Sequence, residues 1–132
     1  INYRCGTGHS VSFVGNVHEG PHALNGRNTV VFQPGMIVTD EPGVYEGGQV
    51  GIRIENELMC VHKADNQYGT FLGFEPIMFV PIATSPIVPG VLTKDELDWL
   101  NNYHRQVFEK LAPRLNDEER EWLAKKCAAI GC

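Results

Sequence analysis

The sequence predicts an α+β fold, a strand-rich first two-thirds followed by a helical hairpin. Three observations carry this. Between Thr29 and Ile82, short runs rich in Val, Ile and Phe alternate with Gly and Pro breaks, the texture of short strands. The composition changes at Pro86–Gly90. Beyond it, Thr93 with Glu96 and Asn116 with Glu119 are two capping-box patterns, each opening a segment of helical spacing.

Taken in order, residues from Asn2 to about Leu24 are rich in Gly and His and lack periodicity, as expected where backbone passes close to a ligand. After the polar turn Asn25–Asn28, Thr29–Phe32 and Met36–Thr39 read as strand, turn and strand around Gln33, Pro34 and Gly35. Gly43 and Gly47-Gly48 break the chain again. From Val50 to His62, alternating Ile52 and Ile54 and the later Leu58 predict one long strand, closed by Asp65-Asn66. Thr70–Ile82 predicts a strand with bulges or at an edge, because Pro76 and Pro81 lie inside it. Leu97, Leu100, His104, Val107, Phe108 and Leu111 then mark a helix of about five turns ended by Pro113. A second helix runs from Asn116 through Trp122 and Leu123 toward Ala129 and stops at Gly131. Two domains follow, 1–90 and 91–132.

Glu41 in TDEPGVY and Glu55 in GIRIEN lie downstream of His9 in CGTGHS, an order of groups that suits a metal site. Side chains alternate across a strand, so Thr39 shares a face with Glu41, and Arg53 with Glu55, if these segments are extended. Hydrolysis at a divalent metal needs hard oxygen donors and imidazole on rigid elements, with a position open for water. In a strand with Ile52 and Ile54, an unpaired buried Glu55 would be costly, and a metal resolves that cost.

At 132 residues the chain is one domain's worth of core. Its net charge is −5 and its eleven Lys and Arg are scattered, which sets nucleic-acid binding aside. No apolar run approaches the roughly 18 residues of a membrane span, and no signal peptide is visible. Cys5, Cys60, Cys127 and Cys132 form no Cys-x-x-Cys pair and read as free thiols of a reducing compartment. Cys5 has no Cys-His-Asn logic around it and reads as no nucleophile. His22, His62 and His104 read as ordinary histidines, and Trp99, Leu100 and Tyr103 as helix packing. The chain begins at Ile1 rather than Met and reads as a piece of something longer.

The stretches GTGHSVSFVGNVHEGP, PGMIVTDEPGVYEGGQVGIRIENELM, LGFEPIMFVPI and LTKDELDWLNNYHRQVFEKLAP resemble the C-terminal part of a eukaryotic cytosolic-type aminopeptidase P, over nearly the whole chain. The resemblance implies the second half of a pita-bread fold, a curved and mainly antiparallel sheet in residues 1–90, with a helical extension in 91–132. It implies a cytoplasmic, homodimeric enzyme that removes an N-terminal residue when proline is second; charge and hydropathy leave no nucleic-acid or membrane partner. In that family an Asp, Asp, His, Glu, Glu set holds two divalent metals, manganese in this branch. By resemblance His9, Glu41 and Glu55 are metal ligands, Glu41 also handling a proton, and His18 is the catalytic histidine at the scissile bond. Tyr45 and Arg53 resemble residues that support the ligands. The family's usual motif has a histidine and two glycines where this chain has Cys5, Ser10 and Ser12, so Cys5 falls on a substrate-lining position. The aspartate pair has no counterpart in these 132 residues, so the chain alone is expected to hold at most one metal, weakly, and to be inactive. The alternative is a non-catalytic pita-bread module that binds peptides or serves as an interaction domain; loss of His9, Glu41 or Glu55 would point to it, and their retention counts against it. Prolidase shares the ligands, and the helical tail argues against it.

Overall fold

The computed structural model describes residues 5–88 and 90–131, and the chain divides into two compact units between Met78 and Phe79. Cys132, one of the four expected free thiols, lies outside the described residues, as do the first residues of the Gly- and His-rich segment and Pro89 of the expected junction. Cys5, Cys60 and Cys127 are free thiols.

The first unit holds two antiparallel sheets. β1 (Ile37–Asp40), β4 (Asn56–Asn66) and β5 (Gly69–Pro76) form one sheet in the order β1-β4-β5. β2 (Gly43–Glu46) and β3 (Val50–Arg53) form a separate pair. The long strand expected from Val50 to His62 is therefore two strands. Pairing of β2 with β3 ends at Gly43↔Arg53, while β4 starts opposite β1 at Asp40↔Asn56. The chain changes sheets in between, helped by a bond from Ile54 N–H to the Pro42 carbonyl (3.3 Å), and Glu55 falls in the link.

Thr29–Phe32 does not form the expected strand. The Asn28 side chain bonds both polar groups of the Val30 backbone, its Oδ1 accepting from N–H at 3.1 Å and its Nδ2 donating to C=O at 2.9 Å. These local bonds satisfy groups a ladder would otherwise need. The β4–β5 hairpin turns through an Asn66 side chain that accepts from Tyr68 N–H (2.8 Å), with Gly69 at φ 133°. β5 ends at Pro76, short of the expected Ile82. Val38 and Cys60 are the buried hydrophobic residues of this unit.

In the second unit, α1 (Lys94–Leu111) starts from the Thr93 and Glu96 capping box and α2 (Asp117–Lys126) from the Asn116 and Glu119 box. A 3₁₀ turn, Ala112–Arg114, places Pro113 at its start, where a missing N–H costs nothing. Tyr103, Val107 and Leu123 form the core, with Phe79, Ile82, Phe108, Leu111, Leu115 and Cys127 packed on it. Segment 79–88 has no regular structure and is tied to α1 by two side chains. The Tyr103 hydroxyl donates to the Val80 carbonyl (2.9 Å) and accepts from its N–H (3.3 Å), and His104 Nε2 accepts from Ile82 N–H (3.1 Å). α2 stops at Lys126 rather than near Ala129, and the Asn101 amide then bonds both backbone groups of Ile130 at 3.0 Å.

Candidate metal centre

A close approach of two backbones sets the site. A Cβ on Gly8 would lie 1.9 Å from the Thr39 carbonyl oxygen and 2.8 Å from the Leu24 Cβ, so any larger residue would push the segment off β1. With glycine there, Glu41 N–H donates to the Thr7 carbonyl (2.7 Å) and Thr39 N–H to the His9 carbonyl (2.9 Å). On the other flank His9 bridges Ala23, and Leu24 N–H donates to the Gly8 carbonyl (3.0 Å). His22 Nε2 donates to the Ile37 carbonyl (2.7 Å), pinning the returning segment to β1.

The two His9 ring nitrogens face different partners. Nδ1 lies 2.9 Å from the Ser10 carbonyl, which only accepts, so Nδ1 is the donor there. Nε2 lies 3.0 Å from Glu41 Oε1. Glu41 is 8% exposed; its Oε1 also accepts from the Thr39 hydroxyl (3.0 Å), and its Oε2 is ion-paired with Arg53. Arg53 Nε in turn donates to the Tyr45 hydroxyl (2.7 Å). The Tyr45 ring lies over Gly43 and Gly51, where a Cβ would come within 2.8 Å of it, so these glycines make room for the tyrosine that positions Arg53. The His18 ring centroid is 4.0 Å from that of His9, placing a second imidazole beside the first.

The structure thus brings together His9, His18, Glu41, Tyr45 and Arg53. Cys5 and Glu55 are exposed, and Glu55 stands in the β3–β4 link rather than in a strand beside Ile52 and Ile54. The burial cost inferred for Glu55 is therefore absent. Thr39 is the residue whose importance the sequence understated: alternation placed it on Glu41's face, but only the tertiary contact makes it a partner of His9.

An imidazole nitrogen and a carboxylate oxygen 3.0 Å apart can share a proton or a cation, and this donor set suits a divalent metal. His9 and Glu41 would hold it, the Nδ1 bond to Ser10 and the Arg53 and Thr39 bonds fixing their orientation. Among the described residues, no three His, Cys, Asp or Glu gather around one such point.

The remaining titratable clusters are structural. Bonds from Thr70 and then His62 hold the Asp65 carboxyl below its ordinary range on the exposed hairpin. Burial pushes the Cys127 thiol up, keeping it protonated.

Residues 1–62 match the model of metallopeptidase family M24, and residues 70–130 that of the C-terminal region of peptidase M24. A probable Xaa-Pro aminopeptidase P of Coprinopsis cinerea is 42% identical over 138 residues, covering 98% of this chain and 22% of that protein. Aminopeptidase P2 of Arabidopsis thaliana is 46% identical over 130 residues, covering 93% and 18%. The chain spans about a fifth of the length of these relatives. The crystal structure of X-prolyl aminopeptidase from Caenorhabditis elegans, a cytosolic enzyme with a di-nuclear active site, matches at TM-score 0.82 and 39% identity, over 95% of this chain and 21% of that one. The antiparallel sheets and two helices accordingly match a fragment of the pita-bread fold. With two models of one family covering nearly all of it and relatives of one kind aligned along its length, the chain belongs to metallopeptidase family M24 and is similar to the Xaa-Pro aminopeptidases P.

Proposed function

We propose that this chain contributes part of the metal centre of a Xaa-Pro aminopeptidase that removes the N-terminal residue of peptides with proline in second position. The observation that carries the reading is His9 Nε2 facing Glu41 Oε1 at 3.0 Å. The names of its relatives and the di-nuclear site of the C. elegans enzyme support it. Glu55, in the link after Arg53, is the third ligand of the proposal, and manganese the metal. Residues 1–90 would supply the partial catalytic domain and 91–132 a helical extension, in a homodimer of the cytoplasm. The C. elegans relative is cytosolic, and no described helix is long and apolar enough to cross a membrane.

Divalent metal ions bound there would supply Lewis acidity and an activated water for amide hydrolysis. The protein groups divide the remaining work. Glu41 takes a proton from the attacking water and passes it to the leaving proline nitrogen. His18, beside His9 and exposed, donates to the carbonyl oxygen as charge develops on it. Arg53, held by Tyr45, keeps the Glu41 carboxylate turned toward His9. Cys5 lines the approach of the substrate, in place of the family's histidine.

Isothermal titration with Mn²⁺ tests the ligand set. The chain should take up Mn²⁺ weakly at no more than one site, and His9→Ala, Glu41→Gln and Glu55→Gln should each weaken it further. Two tight sites, or affinity indifferent to all three changes, would overturn the assignment. In a longer protein carrying this sequence, His18→Ala should lower kcat for Arg-Pro-Pro by roughly 10²-fold; unchanged kcat would remove His18 from the mechanism.

A further inference from the structure

We infer that Thr39 is a positioning residue that couples the two ligand-bearing segments, its hydroxyl joining the His9 backbone to the Glu41 side chain. This deepens the metal reading above and rests on it for its consequence, though not for its geometry.

Where segment 7–10 runs along β1, Thr39 N–H donates to the His9 carbonyl at 2.9 Å, and an antiparallel ladder would return a bond from His9 N–H to the Thr39 carbonyl. That carbonyl is turned toward Gly8, close enough that a Cβ there would meet it at 1.9 Å. The His9 N–H instead donates to the Thr39 Oγ1, at 3.0 Å. The consequence is directional. With one lone pair of the hydroxyl taken by His9, its single proton goes to Glu41 Oε1, which can only accept, also at 3.0 Å. Thr39 is 3% exposed, so water cannot replace either bond cheaply.

The same Oε1 faces His9 Nε2, so one oxygen atom receives the hydroxyl and meets the imidazole. A shift of segment 7–10 along β1 would move His9 and, through Thr39, turn Glu41 with it. Arg53 holds the other oxygen, Oε2, and cannot by itself set the rotation of the carboxylate about its Cγ–Cδ bond. Thr39 fixes that rotation.

The test compares Thr39→Val, which keeps the shape and removes the hydroxyl, with Thr39→Ser, which keeps the hydroxyl and removes the methyl. Amide hydrogen exchange at His9 is read by NMR and Mn²⁺ affinity by titration. The Cys60 amide, bonded to the Met36 carbonyl at 2.8 Å, reports whether the β1–β4 sheet is intact. With Cys60 protection retained, Thr39→Val should speed His9 exchange about tenfold or more and weaken Mn²⁺ about 10–100-fold, the range for lost partners of metal ligands, while Thr39→Ser stays near wild type. Equal behaviour of the two variants at His9 would overturn the coupling. If the valine variant loses Cys60 protection, the serine variant decides: fast His9 exchange in it would overturn the proposal and slow exchange support it. If the wild-type chain takes up no Mn²⁺, the metal reading fails, and the His9 amide in the two variants still decides whether Thr39 makes the coupling.

Discussion

The unit ending at Met78 and the unit starting at Phe79 are stabilised by different means. In the first, order comes mainly from backbone ladders and from segments laid against β1, with Val38 and Cys60 its only buried hydrophobic residues among those described. In the second, Tyr103, Val107 and Leu123 make a side-chain core, and two capping boxes define the helix starts. The difference shows in β2 and β3. Their site face carries Gly43, Tyr45, Gly51 and Arg53, while the opposite face carries Val44, Val50 and Ile52, each about half exposed. A ligand-holding face needs backbone precision and room, whereas a helical pair needs apolar side chains that interdigitate.

The largest effect expected from this contrast is in the helical core. Leu123 is 2% exposed, and Leu123→Ala should cost about 2–5 kcal/mol, read by denaturant unfolding followed at the helical circular dichroism signal. A loss below about 1 kcal/mol would mean that caps and local bonds, not the core, hold the second unit.

A different failure is expected in the first unit. Uncovered apolar faces of this kind associate, so sedimentation at micromolar concentrations should show oligomers, and Ile52→Lys should weaken them about tenfold or more by forcing a charge into the contact. A compact monomer across that range would show that the exposed face carries no cost.

The pH response should separate the units again. His104 is fully buried, accepts from Ile82 N–H and has a buried Nδ1 with no partner among the described atoms. Burial pushes its imidazole below the ordinary value of 6.5, outweighing the backbone bond. Lys110 over the Phe79 ring, and Lys125 and Lys126 beside residues 80–85, add positive charge around the same segment. The unfolded chain therefore binds the proton more readily than the folded one. Its contribution is fully present above pH 6.5 and is lost as pH falls from there through the folded-state value. Protonation also removes the acceptor for Ile82 N–H, so amides of 80–83 should lose protection first. A His104→Gln variant should flatten that dependence; an unchanged pH profile would assign it to another group.

The smallest effect is at a cap. Asn116→Ala removes the acceptor for Glu119 N–H at 2.9 Å and should cost about 1 kcal/mol, seen as fraying of α2 in amide exchange. A change of several kcal/mol there would mean that α2 order, rather than packing on α1, governs the second unit.

Read from sequence alone, the helix starts of the last third were legible to the residue, because capping boxes act within a few positions of the chain, while α2 ends at Lys126 short of the expected Ala129. Thr93–Glu96 and Asn116–Glu119 open the helices as expected. The strands were less legible. Asn28 withdraws Val30 from any ladder, and the switch of sheets at Ile54–Glu55 follows from which strands pair, a choice made far away in sequence. The sequence by itself determined which chemistry the chain carries: imidazole at His9 and His18, carboxylates at Glu41 and Glu55, and glycines where the backbone must come close. Tertiary structure decided which of these groups meet. It turned His9 Nε2 to Glu41, exposed Glu55, and made Thr39 a partner of both segments, because a hydrogen bond depends on ångström distances that no local pattern encodes.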